Sequence, residues 1–512
     1  MNYLHTHTVA SSTTSPTSGP KHLHVLIVGA GLGGITLGIM LERAGISYHI
    51  LERSSGIRPA GSAISIGPTV MRVMAQLGLM EEFLRESKPV RQLRFFEQMD
   101  ANVDRDLYDG IADMMFCEAR YGHAIRVIPR PILYHILFSR IPPHKVIFCK
   151  RVIRTLEYDP DGDGGSNGFI SCFCDDGSEY RGSVLVGADG AYSTIRQQMF
   201  SLLEEKGEVA EGVSALLQPH QHCISGMTKP LDPKEFSALG EDYGEFQVLR
   251  GKGQTHSLWL MPLTNYRIAW TLFCYLPEDF DLEYKAVHVL PRQQQSAPTS
   301  CLPSSSERPW YHLCEKIHDR AQAMLDSLRF VPNPLSNAGG VFGDLLDKTD
   351  PERISKVTIE QGVFCRWYYR RTVLIGDACH KSLPYAGQGA NQAILDSIFL
   401  ASQLHNFVSS TRTTATGTPP PTRSKLMAIF DLYYRERSGI ASVATNGSNW
   451  FDHIIGGRGF SSRILRYGFF WFLPQKLFFL LTDQFFQVRP LLPYLPSILD
   501  TGCIAPVPFP SS

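Results

Sequence analysis

The pattern of apolar and polar positions near the start of the chain predicts a strand, a turn, a helix and a second strand. Val25–Val28 is a short run of β-branched residues and leucine, typical of a strand buried on both faces. The apolar spacing from Ile35 to Leu41 fits a helix, and Gly45 fits its C-terminal stop. Tyr48–Leu51 is a second short apolar run. This order is typical of an α/β protein.

Two similar apolar runs occur later in the chain, and each leads to an aspartate. Val184–Val186 is followed by Gly-Ala-Asp, which ends at Asp189, and Val373–Ile375 is followed by Gly-Asp, which ends at Asp377. Both runs predict buried strands. A plain strand and Asp-Gly turn is an equally good interpretation of the Asp189 segment by itself. After Asp377 the chain crosses a proline and two glycines and enters a predicted helix, so its backbone can approach a ligand closely.

The middle of the chain has a different periodicity. Short segments with alternating apolar residues and many aromatics, such as "GEFQVLRG" and "YRIAWTLFCYL", predict an antiparallel sheet across residues 215–350. A Pro-, Ser- and Gln-rich stretch at 291–309 predicts an exposed insertion in that sheet, and 409–425 predicts a second polar insertion between two helices. The flanking ranges 22–214 and 351–440 would form one discontinuous α/β domain.

The two ends of the chain differ from its centre. Residues 1–21 are rich in Ser and Thr with no apolar core segment, which predicts a disordered leader rather than a secretory signal. Residues 441–512 form a helical, hydrophobic C-terminal region, very aromatic near 464–488 but interrupted by Arg466, Pro474 and Asp483. Three interpretations stay open for this tail: a simple membrane span, a partly inserted or interfacial helix pair, and an element buried against the catalytic domain.

Composition narrows the function classes. The chain has 512 residues, 43% of them hydrophobic, which is enough for a large globular interior. Lys+Arg and Asp+Glu both total 49, so no overall field favours nucleic acid. The 11 cysteines are scattered without the spacing of a zinc site, so we expect reduced thiols, an intracellular protein and no metal.

The turn after the first strand carries specific chemistry. Gly29, Gly31 and Gly34 have the spacing G-x-G-x-x-G, and Glu52 ends the second strand. Gly29 permits the tight turn, Gly31 lets the backbone approach a pyrophosphate, and Gly34 allows close helix–strand packing. Glu52 can accept hydrogen bonds from a ribose diol, which favours FAD or NAD over NADP. The alternative is a plain glycine-rich turn, but the surrounding elements favour a dinucleotide.

Three motifs together resemble the group A flavoprotein monooxygenases, the family of aromatic-ring hydroxylases. They are the G-x-G-x-x-G turn, "GADGAYSTIR" from residue 187 and "LIGDACHKSLPYAGQGANQAILD" from residue 374. The resemblance implies a Rossmann-like FAD-binding domain, an antiparallel substrate-domain sheet and the helical hydrophobic tail. It implies that Asp377 binds the ribityl chain, that Asp189 serves FAD and the nicotinamide nucleotide, and that Arg130 contacts the flavin. The flavin would be lined by Pro384, Gly387, Gly389, Ala390 and Asn391. Ser65 would also contact the flavin, although Gly or Ala is commoner there.

The resemblance is closest to fungal enzymes that hydroxylate or epoxidise terpenoids and indole-terpenoids. It implies an FAD monooxygenase that takes electrons from NADPH or NADH and uses O2 as the oxidant. The enzyme would act through a flavin C4a-hydroperoxide on a small lipophilic substrate. The tail near 464–488 would bring it to a membrane. Two alternatives are a prenyl-chain reductase or oxidase and a non-catalytic FAD-fold prenyl-binding protein. No catalytic side chain is assigned, because His380, Arg120, Tyr121 and Arg126 are more simply explained by packing and polar contacts.

Overall fold

The structure is a computed structural model that describes most of the chain from residue 22 to residue 507. The described residues are 20, 22–56, 61–97, 110–159, 168–210, 212, 217–251, 256–275, 319–337, 339–411, 419–456, 464, 468–469 and 472–507. The predicted leader, apart from residue 20, and the predicted insertion at 291–309 lie outside them.

In the part of the chain that the structure describes, the strands form three sheets. In chain order they are β1 His24–Val28, β2 Ser47–Leu51, β3 Ala63–Ile66, β4 Lys88–Glu97, β5 Gly110–Asp113, β6 Arg126–Pro129, β7 Val146–Ile147, β8 Val152–Tyr158, β9 Phe169–Cys174, β10 Glu179–Gly182, β11 Val184–Gly187, β12 Gln218–Met227, β13 Gly244–Arg250, β14 His256–Pro262, β15 Ile268–Tyr275, β16 Ser355–Val363, β17 Tyr368–Tyr369, β18 Thr372–Leu374 and β19 His380–Lys381.

Helices flank these sheets. They are α1 Leu32–Arg43, α2 Pro68–Gln76, α3 Met80–Glu86, α4 Phe116–Tyr121, α5 Arg130–Phe138, α6 Thr194–Glu205, α7 Phe342–Asp347, α8 Gln388–Ser410, α9 Arg423–Gly456 and α10 Gln475–Phe486. Short 3-10 helices occupy Gly376–Ala378 and Pro384–Ala386.

The six-stranded sheet has the order β17-β18-β11-β1-β2-β7 and is parallel except for β17. Val25 of β1 pairs with Val184 on one side and with Tyr48 on the other. The strands predicted from four apolar runs are therefore confirmed and lie side by side. Because the shared strand direction brings their carboxyl ends to one edge, the segments after β1, β2, β11 and β18 meet there.

The ten-stranded sheet runs β19-β16-β12-β15-β14-β13-β4-β6-β3, with β5 paired to β4. Its centre, β12 to β15, is antiparallel as predicted, and both faces are buried. In β14, Leu258 and Leu260 join one apolar cluster while Trp259 joins another on the opposite face. The sheet also includes β3, β4 and β6 from the range 22–214 and β16 from the range 351–440. The sequence analysis assigned both ranges to the FAD-binding domain.

The tail returns to the first half of the chain. In α10, Asp483, Phe485 and Phe486 are buried, whereas Leu480 is 66% exposed. Asp483 accepts hydrogen bonds from both Nε and Nη2 of Arg120, at 3.2 and 2.8 Å, and from the Tyr121 hydroxyl at 2.6 Å. This face of α10 thus matches the interpretation of an element buried against the catalytic domain. Across the described residues, no helix combines the length and apolar character that crossing a membrane requires.

The Arg120–Asp483 pair makes a testable contribution to stability. Its side chains are only 17% and 13% exposed. We expect Asp483→Asn to lower the free energy of unfolding by about 2 kcal/mol, because it leaves a shielded guanidinium without its counter-charge. Urea denaturation measures the loss. The control Glu82→Gln removes the more exposed Arg140–Glu82 pair and should cost less than about 1 kcal/mol. Equal losses in the two variants would contradict the assignment.

Candidate functional site

The turn between β1 and α1 contains glycines at positions where a larger residue would clash. Gly29 has φ +105°, and a Cβ there would lie 2.5 Å from the carbonyl oxygen of Ala188. A Cβ on Gly34 would lie 2.1 Å from the carbonyl oxygen of Gly29. Gly31 is different, since a Cβ there would meet only Ala188 O at 3.7 Å. Packing within the protein explains Gly29 and Gly34, whereas Gly31 leaves room beside the backbone for a ligand.

Glu52 lies at the end of β2, directly beside this turn. Its Oε2 accepts a hydrogen bond from the Ala30 backbone N–H at 2.7 Å. Its Oε1 accepts from the backbone N–H and the hydroxyl of Ser54, at 2.8 and 2.5 Å. The carboxylate is therefore held in a fixed position next to the glycine turn. A carboxylate can accept about four hydrogen bonds, so capacity remains for a ribose hydroxyl.

Asp189 lies at the end of β11 and caps a helix. Its Oδ1 accepts from the Ser193 hydroxyl at 2.5 Å, and its Oδ2 accepts from the Thr194 backbone N–H at 2.7 Å, at the start of α6. Burial raises the pKa of Asp189, although these hydrogen bonds favour the ionised form. These contacts within the protein are those expected of a plain strand followed by an Asp-Gly turn. That Asp189 also helps to bind FAD and the nicotinamide nucleotide stays a prediction.

Asp377 follows β18 and lies in the 3-10 helix Gly376–Ala378, next to the Asp189 segment. The Ile375 backbone N–H donates to Gly187 O at 3.0 Å, which joins the ends of β18 and β11. Buried Arg196 also joins the two segments, since it donates to Ala378 O at 3.1 Å and to Ala191 O at 2.6 Å. The structure therefore brings together Gly29, Glu52, Asp189 and Asp377 at one edge of the sheet.

The loop at Pro384–Gly387 and the start of α8 form the other side of the site. Gly387 has φ +60° and serves as the N-cap of α8. Asn391 accepts from the Gly67 backbone N–H at 2.9 Å and donates to Ser65 O at 3.2 Å and Gly387 O at 2.8 Å. Its amide therefore fixes this loop against β3. Ser65 lies against the loop as well, because a Cβ on Gly387 would be 3.1 Å from Ser65 Cβ.

The remaining predicted residues lie around this loop. Ala390 is buried in the first turn of α8, and Gly389 is exposed, with nothing within 4 Å of an added Cβ. Arg130 begins α5 and is exposed, with its guanidinium carbon 5.5 Å from the Tyr134 ring and its Cδ beside Gly61. Arg120 and Tyr121 contact Asp483 and Arg126 contacts Ser87, which are polar contacts within the fold of the kind expected for these three residues.

The site fits a long anionic dinucleotide for a reason visible in the helices. At this site, α1 and α8 both begin at glycines, Gly31 and Gly387, which have no side chain to accept from the first backbone N–H groups. α6 instead begins at Ser193, whose hydroxyl accepts from Arg196 N. The first turn of α1 contacts the second and third turns of α8, since an added Cβ on Gly33 would lie 3.5 Å from Ala393 O and Ser397 donates to Gly33 O at 2.9 Å. Two open helix N-termini thus lie close to one sheet edge, as binding of phosphate and of an electron-rich ring requires.

Sequence reasoning missed a polar network on the side of the ten-stranded sheet. The Tyr385 hydroxyl donates to Gln221 Oε1 at 2.7 Å, and Gln221 Nε2 donates to Asp452 Oδ1 at 2.9 Å. The rings of Trp259 and Phe273 lie 5.8 and 5.3 Å from Tyr385. Burial raises the pKa of Tyr385, which keeps it protonated. The only sequence signal was the position of Tyr385 inside the predicted flavin loop, because its partners come from distant strands and helices.

Fold and site together define a flavin-dependent oxidoreductase. The family described as FAD binding domain matches residues 22–224 and 264–416, more than half of the chain. The chain belongs to this family, and its resemblance to the aromatic-hydroxylase type of FAD monooxygenase is confirmed.

Curated relatives and solved structures agree with this assignment. The chain is 28% identical to the FAD-dependent monooxygenase olcE of Penicillium canescens, over 82% of this chain and 78% of that protein. It is 28% identical to the FAD-dependent monooxygenase nodM of Hypoxylon pulicicidum, over 76% and 72%. The fold matches Klebsiella pneumoniae HpxO complexed with FAD and uric acid, with a TM-score of 0.63, 18% identity and coverage of 91% and 97%.

Gly389 offers a direct test of where FAD binds. Gly389→Ala introduces a methyl group into open space, so the fold should persist and α8 should gain up to about 1 kcal/mol of helix propensity. We expect FAD affinity to fall about tenfold, because the methyl group would occupy the space of the flavin. Titration of apoprotein with FAD, followed by flavin fluorescence, measures the dissociation constant.

The matched control is Gly439→Ala in α9, which is also exposed with nothing within 4 Å of the added Cβ. This variant should gain helix propensity and keep the wild-type affinity for FAD. An unchanged FAD dissociation constant in Gly389→Ala would show that the cofactor does not approach the start of α8.

Proposed function

We propose that this enzyme is a single-component monooxygenase that uses NADPH or NADH and O2 to hydroxylate or epoxidise a lipophilic substrate. The substrate class we propose is a terpenoid, a meroterpenoid or a prenylated aromatic compound. The names of the fungal relatives support the reaction type. The observation that carries the proposal is the contact between the flavin loop and an aromatic sheet face, through Tyr385, Trp259 and Phe273.

FAD, when bound, would accept a hydride equivalent from the nicotinamide and activate dioxygen. The chain's residues would do the rest. Gly29, Gly31 and the start of α1 would hold the pyrophosphate, Glu52 the adenosine ribose, and Asp377 the ribityl chain. The N-terminus of α8, open at Gly389, would stabilise negative charge on the flavin ring. Ser65, Pro384, Ala390, Asn391 and Arg130 would shape the surroundings of the ring.

A dry surface beside the flavin is what oxygen transfer to a hydrocarbon needs. The cluster around Tyr385 contains Phe95, Val248, Trp259, Phe273 and Leu383, all buried. Excluding water there protects a reactive oxygen species from loss before it meets the substrate. The Tyr385–Gln221–Asp452 network is the polar part of this surface and would orient a hydroxyl or carbonyl group of the substrate.

An aromatic cleft extends this surface outward and supports the lipophilic substrate. We define it by Ile111, Ala112, Phe116, Phe469, Phe478 and Phe479, around a cavity of about 240 Å³ whose lining also includes Leu473 and the polar residues Asp113 and Gln475. Whole ligand sites usually span about 300–1,000 Å³, so the cleft would hold one part of a ligand. Ala112 also packs against the cluster around Tyr385, and Phe451 lies between that cluster and Phe469, 6.3 Å from the latter. The cleft therefore continues towards the flavin loop, and we assign it to the hydrocarbon chain of the substrate.

Oxygen labelling tests the reaction. Purified holoenzyme is incubated with NADPH, ¹⁸O₂ and a panel of farnesyl- and geranyl-substituted phenols, and products are analysed by mass spectrometry. We expect one ¹⁸O atom in the product. Turnover without label would indicate a reductase or oxidase, and a protein that binds FAD but neither consumes NADPH or NADH nor turns over any panel member would count against an enzyme of this type.

Ile111 tests the cleft. Ile111→Gln places a polar amide on an exposed strand residue, so stability should change little. We expect KM to rise about fivefold or more for a farnesyl-substituted phenol, since roughly 1 kcal/mol or more of apolar contact is lost, with no change for the same phenol lacking the chain. Val357→Gln is the matched control, because both side chains are 44% exposed on strands. Equal changes in the two variants would refute this use of the cleft.

A further inference from the structure

A buried carboxylate lies behind the segment that carries Asp377. Asp396 of α8 has no exposed surface. Its Oδ2 accepts the backbone N–H of Gly376 at 2.7 Å and lies 2.7 Å from Nε2 of His380. Its Oδ1 accepts from Nε of Arg437 at 2.8 Å. One side chain thus holds both ends of the segment 376–380.

Arg437 connects the same carboxylate to the second loop of the site. Arg437 lies in α9 and is fully buried, and its Nη2 donates to Gln392 Oε1 at 2.7 Å. Gln392 Nε2 donates to Gln388 Oε1 at 3.2 Å, and Gln388 Nε2 donates to Ala386 O at 3.2 Å. The contacts therefore run without a break from Gly376 to Ala386, from the segment of Asp377 to the loop before Gly387.

The same residues include a group with metal-ligand chemistry, but their contacts favour hydrogen bonding. Ligand atoms of Cys379, His380 and Asp396 lie within 4.8 Å of one another. The carboxylate already accepts three hydrogen bonds, one from a guanidinium, which would repel a cation. The Cys379 thiol lies 3.4 Å from Gly376 O, and burial raises its pKa, which keeps it a thiol. The cluster is a hydrogen-bonded support.

Burying a pair of opposite charges contributes little net stability, because the loss of hydration offsets their attraction. What such a pair does supply is fixed geometry, since each partner must stay within contact distance. We propose that Asp396 and Arg437 are positioning residues that set the distance between the two flavin-binding loops, and thereby the affinity and reduction potential of bound FAD. The inference rests on the proposed placement of the flavin between these loops.

The first test removes both charges together, so that neither is left unpaired. In Asp396→Asn/Arg437→Met we expect the FAD dissociation constant to rise at least about tenfold. A rise of this size corresponds to the loss of one well-placed polar contact. The reduction potential of the bound flavin and its visible circular dichroism should also change. Arg120→Met/Asp483→Asn, which removes the ion pair of the tail, should lower the thermal midpoint but leave FAD affinity and potential unchanged.

The second test avoids buried charge and remains informative if the double variant does not fold. Gln392→Met breaks the link between Arg437 and the Gly387 loop, and should shift the flavin potential and circular dichroism. Gln403→Met is the matched control, because Gln403 is also buried on α8 and donates to Glu436 of α9, at 3.3 Å. It should leave both readouts at wild-type values.

The outcomes separate this inference from the function itself. Wild-type protein that binds no FAD would defeat the cofactor site. Wild-type protein that binds FAD, together with a folded Gln392→Met or Asp396→Asn/Arg437→Met variant of unchanged affinity and potential, would overturn only the positioning role. Equal changes in Gln392→Met and Gln403→Met would assign the effect to general helix packing and also overturn it.

Discussion

The contact between the first turn of α1 and the second and third turns of α8 is the constraint on which the site depends. The two helices are more than 350 residues apart in the chain, yet an added Cβ on Gly33 would lie 3.4 Å from the Ile375 side chain and 3.5 Å from Ala393 O. An added methyl group would already be in van der Waals contact there, so a larger side chain would push the two helices apart. The contact brings two glycine-capped helix N-termini to one edge of the parallel sheet, where the ends of β1, β2, β11 and β18 already meet. A dinucleotide can bridge them because they are close.

The sequence predicted the elements of the site because their signals are local. A turn at Gly29 with φ +105° needs glycine whatever surrounds it, and apolar runs of three or four residues identify strands buried on both faces. The antiparallel centre of the large sheet was predictable from alternation for the same reason. Its extension to β3, β4, β6 and β16 was not, because strand pairing across hundreds of residues leaves no periodic trace. The role of Asp189 as a cap of α6 shows the limit of a motif, since one carboxylate suits both a helix and a ligand.

The parts that escaped prediction are the long-range polar contacts. In the sequence, nothing distinguishes Asp396 from other polar residues of a helix, and its partner Arg437 lies on a different helix. The role of neither residue can be predicted until α8 and α9 are packed together, because only then does Asp396 accept the backbone N–H of Gly376. The Tyr385–Gln221–Asp452 network is similar, because it joins a loop, a strand and a helix. Contacts of this kind determine where the predicted motifs stand relative to one another, which is what chemistry at a cofactor requires.

The central position of β1 in its sheet has a consequence for biosynthesis. β1 leaves the ribosome before β11 and β18, since β11, its neighbour on one side, follows about 155 residues later, and β18 about 340 residues later. At about 5–20 residues per second, that last interval takes roughly 20–70 seconds. During this time one edge of the nascent apolar sheet has no partner strand. Until β18 emerges, this edge is open to pairing with other chains, and the cofactor pocket is completed only after β18 and the start of α8 have been made.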